Sequence, residues 1–332
     1  MILAISKWTS HHNQIIYSLF YYCKIKDLPF SVQYNPDING NGAVLSFENK
    51  QCFLDYSDSP VLIDNPRHFD VYFKRSLLRK NYINNIYPLN FQVNFSFKVL
   101  NLLTRLSKEI ILNKESRVEI IRALDYFNII TNDSHRSKDL EKIWGGEITD
   151  NEGRIIFMTR LWDPDRNSNE LEKERRRLQN DFRINACRII SKKFKNSVVG
   201  VYPDYFAKRV ARDVLLDFKQ TKKSNYLKIL KESDICIADD GLKDTPGWKI
   251  GEYVMLNKAI ISTPINTVVE KFYPNNNYTS LKNRLDYKSL PDQVNKLLKN
   301  KSYLDMMESN KNWSSLYLHP QAYVQNILDK MS

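Results

Sequence analysis

The residues best suited to chemistry lie in one short stretch, Asp244–Glu252, which reads DTPGWKIGE. Gly247 opens a predicted helix there, and the free N–H groups and partial positive charge of a helix N-terminus attract phosphate. Lys249 adds a full positive charge in the first turn. Glu252 lies three residues further on, on the same helix face, where its carboxylate can accept two hydrogen bonds from a ribose diol. The spacing predicts a site for the diphosphate and ribose of a nucleotide.

The flanking sequence predicts a buried strand on each side of this motif. Ser233–Ala238 is a short apolar run of the kind found in buried parallel strands, and Ala259–Thr263 is another. Between them lie a loop rich in Asp, Gly and Pro, Asp239–Pro246, and a short helix, Gly247–Leu256. Such a unit also occurs without any ligand, with the lysine and the glutamate as a solvated ion pair. The pattern alone leaves both interpretations open.

The motif resembles the donor-nucleotide motif of GT-B glycosyltransferases of group 1, the family-4-like retaining enzymes. Those carry an E-x7-E pattern across a strand, a loop and a helix. The spacing is kept here as Asp244-x7-Glu252, with Gly247 at the small-residue position. The first acid is Asp rather than Glu, and Lys249 stands where the group often has Pro. The variant GLxxxxGWKxGEY is similar to a bacterial subgroup of polysaccharide-type transferases. The Asp leaves open whether the reaction retains or inverts the anomeric centre.

The resemblance implies an α/β protein with two Rossmann-like domains facing across a cleft (GT-B). It places an acceptor-side domain at 1–148, a nucleotide-sugar donor domain at 149–312, and a C-terminal helix at 313–332 that crosses back to the first domain. It implies transfer of a hexosyl or related group from a nucleotide-sugar to an acceptor hydroxyl, in bacterial cell-surface polysaccharide or glycolipid assembly. GT-B enzymes generally need no bound metal, so neither a metal nor a cofactor is expected. Basic side chains and a helix tip must then stabilise the departing diphosphate.

The same resemblance suggests roles for single residues. Arg160 follows the predicted strand Arg154–Thr159, where a basic residue of a GT-B donor domain reaches the diphosphate. The alternative for Arg160 is a surface ion pair with a nearby aspartate, 163 or 165. Asp244 would face the sugar or the reacting carbon, and Tyr226 would lie near the nucleotide base, where it either stacks or packs. The predicted catalytic residues are Asp244, Lys249 and Arg160. The predicted nucleotide-sugar ligands are Gly247, Lys249, Glu252, Arg160 and Tyr226.

Candidates on the acceptor side lie in the first half of the chain. The segment Asp70–Ser76 runs from an apolar strand into Lys74 and Arg75, whose charges suit a phosphate or an anionic lipid head group. A solvated strand end is the alternative. An inverting reaction also needs a general base. The candidates for that base are Asp55, Asp58, His11 and His12.

The periodicity predicts the remaining elements. Alternating strands and polar turns favour an α/β layer in the first half. The strand-like segments there are Ile2–Ser6, Phe30–Gln33, Ala43–Phe47, Gln51–Tyr56, Val61–Ile63, Asp70–Lys74 and Ile86–Leu89. Helices are expected at Ile15–Cys23, Phe95–Leu106, Arg117–Tyr126 and Ser168–Lys193. Ser168 is the candidate N-cap of the long helix, and Arg183 is its candidate for a position at the cleft.

Composition limits the class of protein. A chain of 332 residues with 42% hydrophobic and 27% charged residues suits two globular domains. Its four cysteines show no CxxC spacing and read as reduced thiols, without a disulfide framework or zinc site. No apolar run has the length of a signal peptide core or a membrane-spanning helix. We therefore expect a cytoplasmic protein, either soluble or peripheral on the inner face of the membrane.

The net charge of +12 suits three kinds of partner, which are nucleic acid, an anionic membrane surface and anionic substrates. No nucleic-acid motif accompanies the charge, so nucleic acid is not expected. The expected partners are a nucleotide-sugar and a saccharide or lipid-linked saccharide acceptor, with peripheral contact to an anionic membrane. The competing interpretation is a non-catalytic basic α/β protein that binds nucleic acid or an anionic membrane surface.

Overall fold

The computed structural model describes residues 1–79, 85–96, 100–125, 138–140, 144–241 and 245–332. Over these residues the chain forms a six-stranded sheet in its first half, a five-stranded sheet in its second half and a small two-stranded pair. The strands are β1 Ile2–Ile5, β2 Ser31–Tyr34, β3 Gly42–Phe47, β4 Lys50–Asp55, β5 Val71–Lys74, β6 Ile86–Pro88, β7 Phe95–Ser96, β8 Lys138–Asp139, β9 Ile155–Thr159, β10 Ser197–Val201, β11 Ile235–Ala238, β12 Ala259–Ser262 and β13 Thr279–Ser280.

Helices cover the sheets and join their strands. They are α1 Asn13–Lys26, α2 Lys108–Leu112, α3 Arg117–Leu124, α4 Glu170–Lys193, α5 Tyr205–Val210, α6 Lys223–Lys231, α7 Trp248–Met255, α8 Leu290–Leu298, α9 Tyr303–Tyr317 and α10 Pro320–Met331. Within the described residues, no helix combines the length and the apolar character needed to cross a membrane.

The first sheet has the strand order β2-β1-β3-β4-β5-β6 and mixes parallel with antiparallel pairs. Strand β3 runs antiparallel to both β1 and β4, whereas β4, β5 and β6 are parallel. Phe47 pairs with Lys50 across a tight turn, in which Glu48 has a φ of 53°. The β3–β4 hairpin makes this sheet differ from a wholly parallel Rossmann-like sheet. Strands β1 and β5 still run in the same direction, and the residues that follow their carboxyl ends contact the second half at Trp248.

The second sheet has the order β10-β9-β11-β12-β13, and its strands are all parallel. Strands β9, β11 and β12 are buried along their whole length, as expected of apolar strands covered by helices on both faces. Both neighbours of β9 in the sheet, β10 and β11, come later in the chain, so the strand order reverses at β9. Ligands of doubly wound sheets bind outside the carboxyl ends of strands at such a point.

The last two helices return the chain to its first half. Helix α10 packs against α1, where the hydroxyl of Tyr22 donates a hydrogen bond to Gln325 at 2.8 Å. The hydroxyls of Tyr56 and Tyr323 lie 2.9 Å apart in the core. His319, between α9 and α10, also contacts the other connection between the halves, with its ring centroid 5.3 Å from that of Trp144.

The predicted α/β class is confirmed, since the chain forms two α/β halves built on separate sheets. Two predicted elements are wrong. Residues Val61–Ile63 form a loop, because the N–H of Ile63 donates to the Asp55 carboxylate and not to a carbonyl of a neighbouring strand. The predicted helix at Phe95–Leu106 is a short strand, β7, followed by a 3-10 helix at Leu100–Arg105, because β7 pairs with β8; residues 97–99 lie outside the described residues.

One predicted helix start is also corrected. The N-cap of α4 is Asn169, and Ser168 lies just before it. The Asn169 side chain accepts a hydrogen bond from the N–H of Glu172 at 3.0 Å, which caps a free donor of the first turn.

Candidate functional site

Helix α7 begins at the crevice between the two halves. Gly247 is its N-cap, with φ −64° and ψ 154°, and no side chain caps the first turn. A Cβ atom at this position would meet only the Asp239 carbonyl oxygen, at 3.9 Å. Neither crowding nor a positive φ therefore requires a glycine here. The glycine leaves the N–H groups of the helix tip uncovered, as phosphate binding needs.

A cleft of about 530 Å³ opens beside this helix tip. Its second-half walls come from the ends of β9 and β10 and from helices α6 and α7, and its first-half wall comes from Ser10, Asn94 and Arg122. The basic side chains in its lining are Arg122, Arg160, Lys223 and Lys249, and the acidic one is Glu252. Such an excess of positive charge in a recess favours an anionic ligand.

A smaller cavity of about 250 Å³ adjoins the cleft at the helix tip. It is lined by Thr245–Ile250 and Arg183 from the second half and by Asp58 and Arg75 from the first half. Trp248, Lys249 and Arg160 line both cavities. Asp244, the predicted first acid of the motif, lies outside the described residues.

Glu252 lines the cleft and is held by two donors. Its carboxylate accepts hydrogen bonds from Lys223 Nζ and from the Tyr226 hydroxyl, the latter at 3.0 Å. Burial raises the pKa of Tyr226, so its hydroxyl remains a donor. Tyr226 is 7% exposed, and its ring centroid lies 4.9 Å from the Lys223 ammonium. Tyr226 therefore positions Glu252 and has little ring surface on which a base could stack.

Lys249 points from α7 toward the carboxyl end of β9, where its ammonium donates to the Met158 carbonyl. Burial, together with the positive charge of Arg183, lowers the pKa of Lys249 to about 8. The ammonium is thus charged at neutral pH yet incompletely solvated. A cation in this state interacts more strongly with an arriving phosphate than one in water, because less solvent screens it.

Arg160 lies at the boundary of the two cavities, with its side chain 53% exposed. Its Nε is 3.5 Å from an Asp204 carboxylate oxygen, and its guanidinium stacks on Tyr202 at 4.7 Å. The alternative predicted for Arg160, an ion pair with aspartate 163 or 165, is absent among the described contacts. The neighbouring Arg166 pairs with Asp163 instead.

Arg183 is held more rigidly beside the same helix tip. Its Nε donates to Asp239 at 2.7 Å, and a second nitrogen donates to the Arg160 carbonyl. Its side chain is 9% exposed. Arg183 thus lines the smaller cavity, as predicted for this helix, and orients the loop that carries Arg160.

Two of the acceptor-side candidates lie in the core instead. Asp55 and Lys74 form a fully buried ion pair at 2.9 Å, on adjacent strands β4 and β5. Asp55 also accepts from the Tyr72 hydroxyl at 2.8 Å and from Ser57, and Lys74 donates to the Ser57 hydroxyl at 2.6 Å. Neither side chain lines either cavity, so both hold the first sheet and its following loop together.

The other acceptor-side candidates come together at Trp248. Arg75 pairs with Asp58 and lies 5.6 Å above the Trp248 ring, and the His11 ring meets the same indole edge-on at 5.3 Å. Burial and the charge of Arg75 lower the pKa of His11, which favours a neutral imidazole. His12 is fully buried against Tyr56, and burial lowers its pKa to about 4. Of the candidate bases, Asp58 lines the smaller cavity and His11 contacts Trp248 beside it.

Sequence reasoning missed two features of this site. Lys223 is one of several lysines in the run KQTKKSNYLK, and nothing in its spacing distinguishes it from its neighbours. Trp248 lies within the predicted helix Gly247–Leu256 without a predicted role in the site, whereas it lines both cavities and contacts the first half of the chain. A tryptophan directly after the N-cap glycine was the signal that could have indicated this.

No protein-family model and no curated protein matches this chain. Solved structures of similar fold exist. The C-terminal domain of LpcC, a group 1 glycosyl transferase from Francisella tularensis, aligns with 54% of this chain and 97% of its own, at 14% identity and a TM-score of 0.36. TarM aligns with 95% of this chain and 57% of its own, at 12% identity and a TM-score of 0.45. WaaG, a glycosyltransferase involved in lipopolysaccharide biosynthesis, aligns with 99% and 98%, at 11% identity and a TM-score of 0.43.

These similarities concern fold. LpcC and WaaG are described as glycosyltransferases, and LpcC as a member of group 1. This chain spans 57% of the TarM chain. At identities of 14% or lower, these similarities do not show function.

Proposed function

We propose that the protein is a glycosyltransferase that moves a sugar from a nucleotide-sugar to an acceptor hydroxyl. The observation that carries this proposal is the cleft beside α7, in which Lys249, Arg160 and Lys223 surround an uncapped helix tip while Glu252 lies one turn along the same helix. Three cations and a helix tip suit a diphosphate, and a carboxylate at that distance suits the ribose.

The proposed chemistry follows from where negative charge grows. As the bond between the sugar and the phosphate breaks, charge accumulates on the phosphate oxygens, and fixed cations stabilise that state more than the ground state. Lys249 and Arg160 take this role, with the amides behind Gly247. Glu252 binds the ribose and sets the position of the nucleotide. Asp244 keeps its proposed role near the sugar on the motif alone.

The smaller cavity is the proposed place of the transferred sugar and the acceptor. Glu252 is not part of its lining, whereas Asp58, Arg75 and Trp248 line it. If the reaction inverts the anomeric centre, Asp58 or His11 is the proposed base. If it retains the centre, the acceptor hydroxyl is deprotonated by the departing phosphate, and neither residue is needed as a base.

We also propose domain boundaries and a role for each domain. Residues 1–148 form the acceptor-side domain and residues 149–312 the donor domain, which is supported by the separate sheets of the two halves. Residues 313–332 contain the helix that returns to the first domain, supported by the packing of α10 on α1. The proposed reaction is hexosyl transfer without a metal, in bacterial cell-surface polysaccharide or glycolipid assembly on the cytoplasmic face of the membrane.

The test is thermal unfolding with UDP, GDP, CDP and dTDP. One of these nucleotides is expected to stabilise the wild type, and to stabilise Glu252→Ala far less, because the ribose loses its charged acceptor. In a turnover assay with the nucleotide-sugar of that base, EDTA is expected to leave the rate unchanged. An equal response to DNA and to every nucleotide, abolished by salt, would instead support the non-catalytic basic binding protein.

A further inference from the structure

Two polar side chains of the first half, Asn94 and Arg122, line the cleft together with the second-half cations Arg160, Lys223 and Lys249. The proposed function gives neither of the first two a role. Arg122 lies on α3, and Asn94 lies just before β7. Both side chains are held by a buried hydrogen-bond network, and that network determines what each of them can offer a ligand.

The network starts at Trp8, whose indole N–H can donate but not accept. It donates to Asn13 Oδ1 at 2.7 Å, so the nitrogen of the Asn13 side chain points the other way. That nitrogen donates to Asn94 Oδ1 at 2.9 Å and to Glu119 Oε2 at 3.1 Å. Trp8 and Asn13 are both buried, so little water competes for these bonds. The oxygen of Asn94 is therefore used inside the protein, and its nitrogen is the end that can donate to a ligand in the cleft.

The same network accounts for a buried acid on α3. Glu119 is 5% exposed, and buried glutamates are rare unless they are paired. Its carboxylate accepts from Asn13 and pairs with Arg122 on the next turn of the helix. Arg122 lines the cleft, whereas Glu119 is not part of the lining. A guanidinium carries more N–H donors than one carboxylate oxygen can accept. Glu119 thus fixes Arg122 at the wall of the cleft and leaves it donors for a ligand.

These two side chains make the first-half wall a donor surface. Arg122 has no acceptor atom, and the acceptor of Asn94 is occupied by Asn13. A matching ligand group must supply acceptor oxygens, and it binds best if it carries negative charge. A phosphate group fits this description, and a guanidinium fork can bind two of its oxygens at once. A sugar hydroxyl fits less well, because its proton finds no acceptor on either side chain.

We propose that Arg122 and Asn94 bind the diphosphate of the nucleotide from the first half, so that one ligand is held by both halves of the chain. Arg160, Lys223 and Lys249 bind the same diphosphate from the second half. A ligand with contacts on both sides favours the arrangement in which the halves are close together. That the ligand is a nucleotide rests on the proposed function; that this wall binds phosphate oxygens rests on the hydrogen-bond network.

The experiment is calorimetry on the full chain with UDP, GDP, CDP and dTDP, with the four nucleosides that lack phosphates, and with inorganic pyrophosphate. Asn94→Asp keeps the oxygen that accepts from Asn13 and replaces the N–H donors by a charged oxygen. It is expected to weaken binding of the preferred nucleoside diphosphate and of pyrophosphate by about tenfold or more, because like charges then meet. Binding of the nucleoside is expected to stay unchanged.

Arg122→Gln combined with Glu119→Gln tests the guanidinium. The double change removes both charges of the pair, so neither is left unpaired in the protein. It is expected to weaken the nucleoside diphosphate by about tenfold, since a charge-assisted contact is lost, and to spare the nucleoside. The matched control is Arg117→Gln on the same helix, because Arg117 is exposed and lines neither cavity. This control is expected to bind every ligand as the wild type does, and urea denaturation verifies that all variants are folded.

Three results overturn the inference. The first is that Asn94→Asp and the double variant bind the nucleoside diphosphate as Arg117→Gln does. The second is an equal loss for the nucleoside and the nucleoside diphosphate, because the changes then act on the shape of the wall. The third is a loss confined to inorganic phosphate added after saturation with the nucleoside diphosphate, because the wall then holds a phosphate of the acceptor.

Two second-half variants, Glu252→Ala and Lys249→Ala, separate this inference from the proposed function. Loss of nucleoside diphosphate binding in these two, with normal binding in the first-half variants, removes the first-half contact and leaves the transferase. A wild type that binds pyrophosphate through Arg122 and Asn94, but binds no nucleoside diphosphate more tightly, removes the transferase and leaves the phosphate-binding wall. A wild type that binds none of these ligands removes both.

Discussion

Two lysine–carboxylate ion pairs, one in each half of the molecule, differ in their access to solvent. The Asp55–Lys74 pair is fully buried, with tyrosine and serine hydroxyls around it. The Lys223–Glu252 pair lies on the wall of the cleft, with side chains 21% and 12% exposed. A buried pair cannot exchange partners without leaving a charge unpaired in the core, whereas a pair at a cleft can open to a ligand. The difference in solvent access separates a structural pair from one that is available for binding.

The largest expected effect comes from breaking the buried pair. Lys74→Met leaves Asp55 charged in the core, so the free energy of unfolding should fall by about 3–5 kcal/mol, measured by urea denaturation. The control is Arg188→Met, which breaks an exposed pair with Asp213 and should cost less than about 1 kcal/mol. Equal losses in the two variants would remove the distinction between structural and exposed pairs.

At the cleft, Lys249→Ala is expected to reduce turnover by more than about tenfold while the midpoint of urea unfolding stays near that of the wild type. The reason is the loss of a cation placed where charge develops on the phosphate. The assay uses the nucleotide-sugar of the base identified by thermal unfolding. Normal turnover in a correctly folded variant would exclude Lys249 from the reaction.

Lys249 also gives the cleft a pH dependence. Because burial and Arg183 lower its pKa to about 8, a nucleoside diphosphate should bind with constant affinity from about pH 7, where its terminal phosphate is fully ionised, up to that pH. Above it the ammonium loses its proton and affinity should fall, approaching about tenfold per pH unit. Calorimetry on the wild type and on Lys249→Met measures this, and the variant should show a flatter profile. A wild-type profile as flat as that of the variant would contradict the assignment.

The smallest and most discriminating effect concerns Lys223→Met. This change removes the ammonium that occupies the Glu252 carboxylate, so a nucleoside without phosphates should bind about two- to fivefold tighter. A nucleoside diphosphate should bind weaker by a similar factor, because the cleft loses one of its cations. Fluorescence titration with the nucleoside and with the nucleoside diphosphate tests both expectations. Weaker binding of both ligands would show that Lys223 acts only on the shape of the cleft.

The sequence predicts most of the second half because its signals are local. The unit β11–α7–β12 follows from apolar runs, a glycine and a loop of breaker residues, and the structure forms it within a residue or two of the predicted bounds. The first half was predicted less well. The core position of Asp55 and Lys74 depends on the pairing of β4 with β5, which no local pattern of charges contains.

The contacts within the site were beyond sequence reasoning for a related reason. Lys223 and Glu252 lie on different helices and meet only through the packing of α6 beside α7. His11 and Arg75 reach Trp248 from loops that follow two separate strands of the first sheet. Residue types were sufficient to predict candidates, but choosing among them required the tertiary arrangement.

The contact between Trp144 and His319 has a mechanical consequence. Among the described residues, the chain passes between its halves near Trp144 and again at the start of α10, and the two passages touch each other through these rings. Two rigid bodies that are joined at two neighbouring points rotate most easily about the line through those two points. A rotation about that line would change the gap between Trp248 and its partners Arg75 and His11 in the other half.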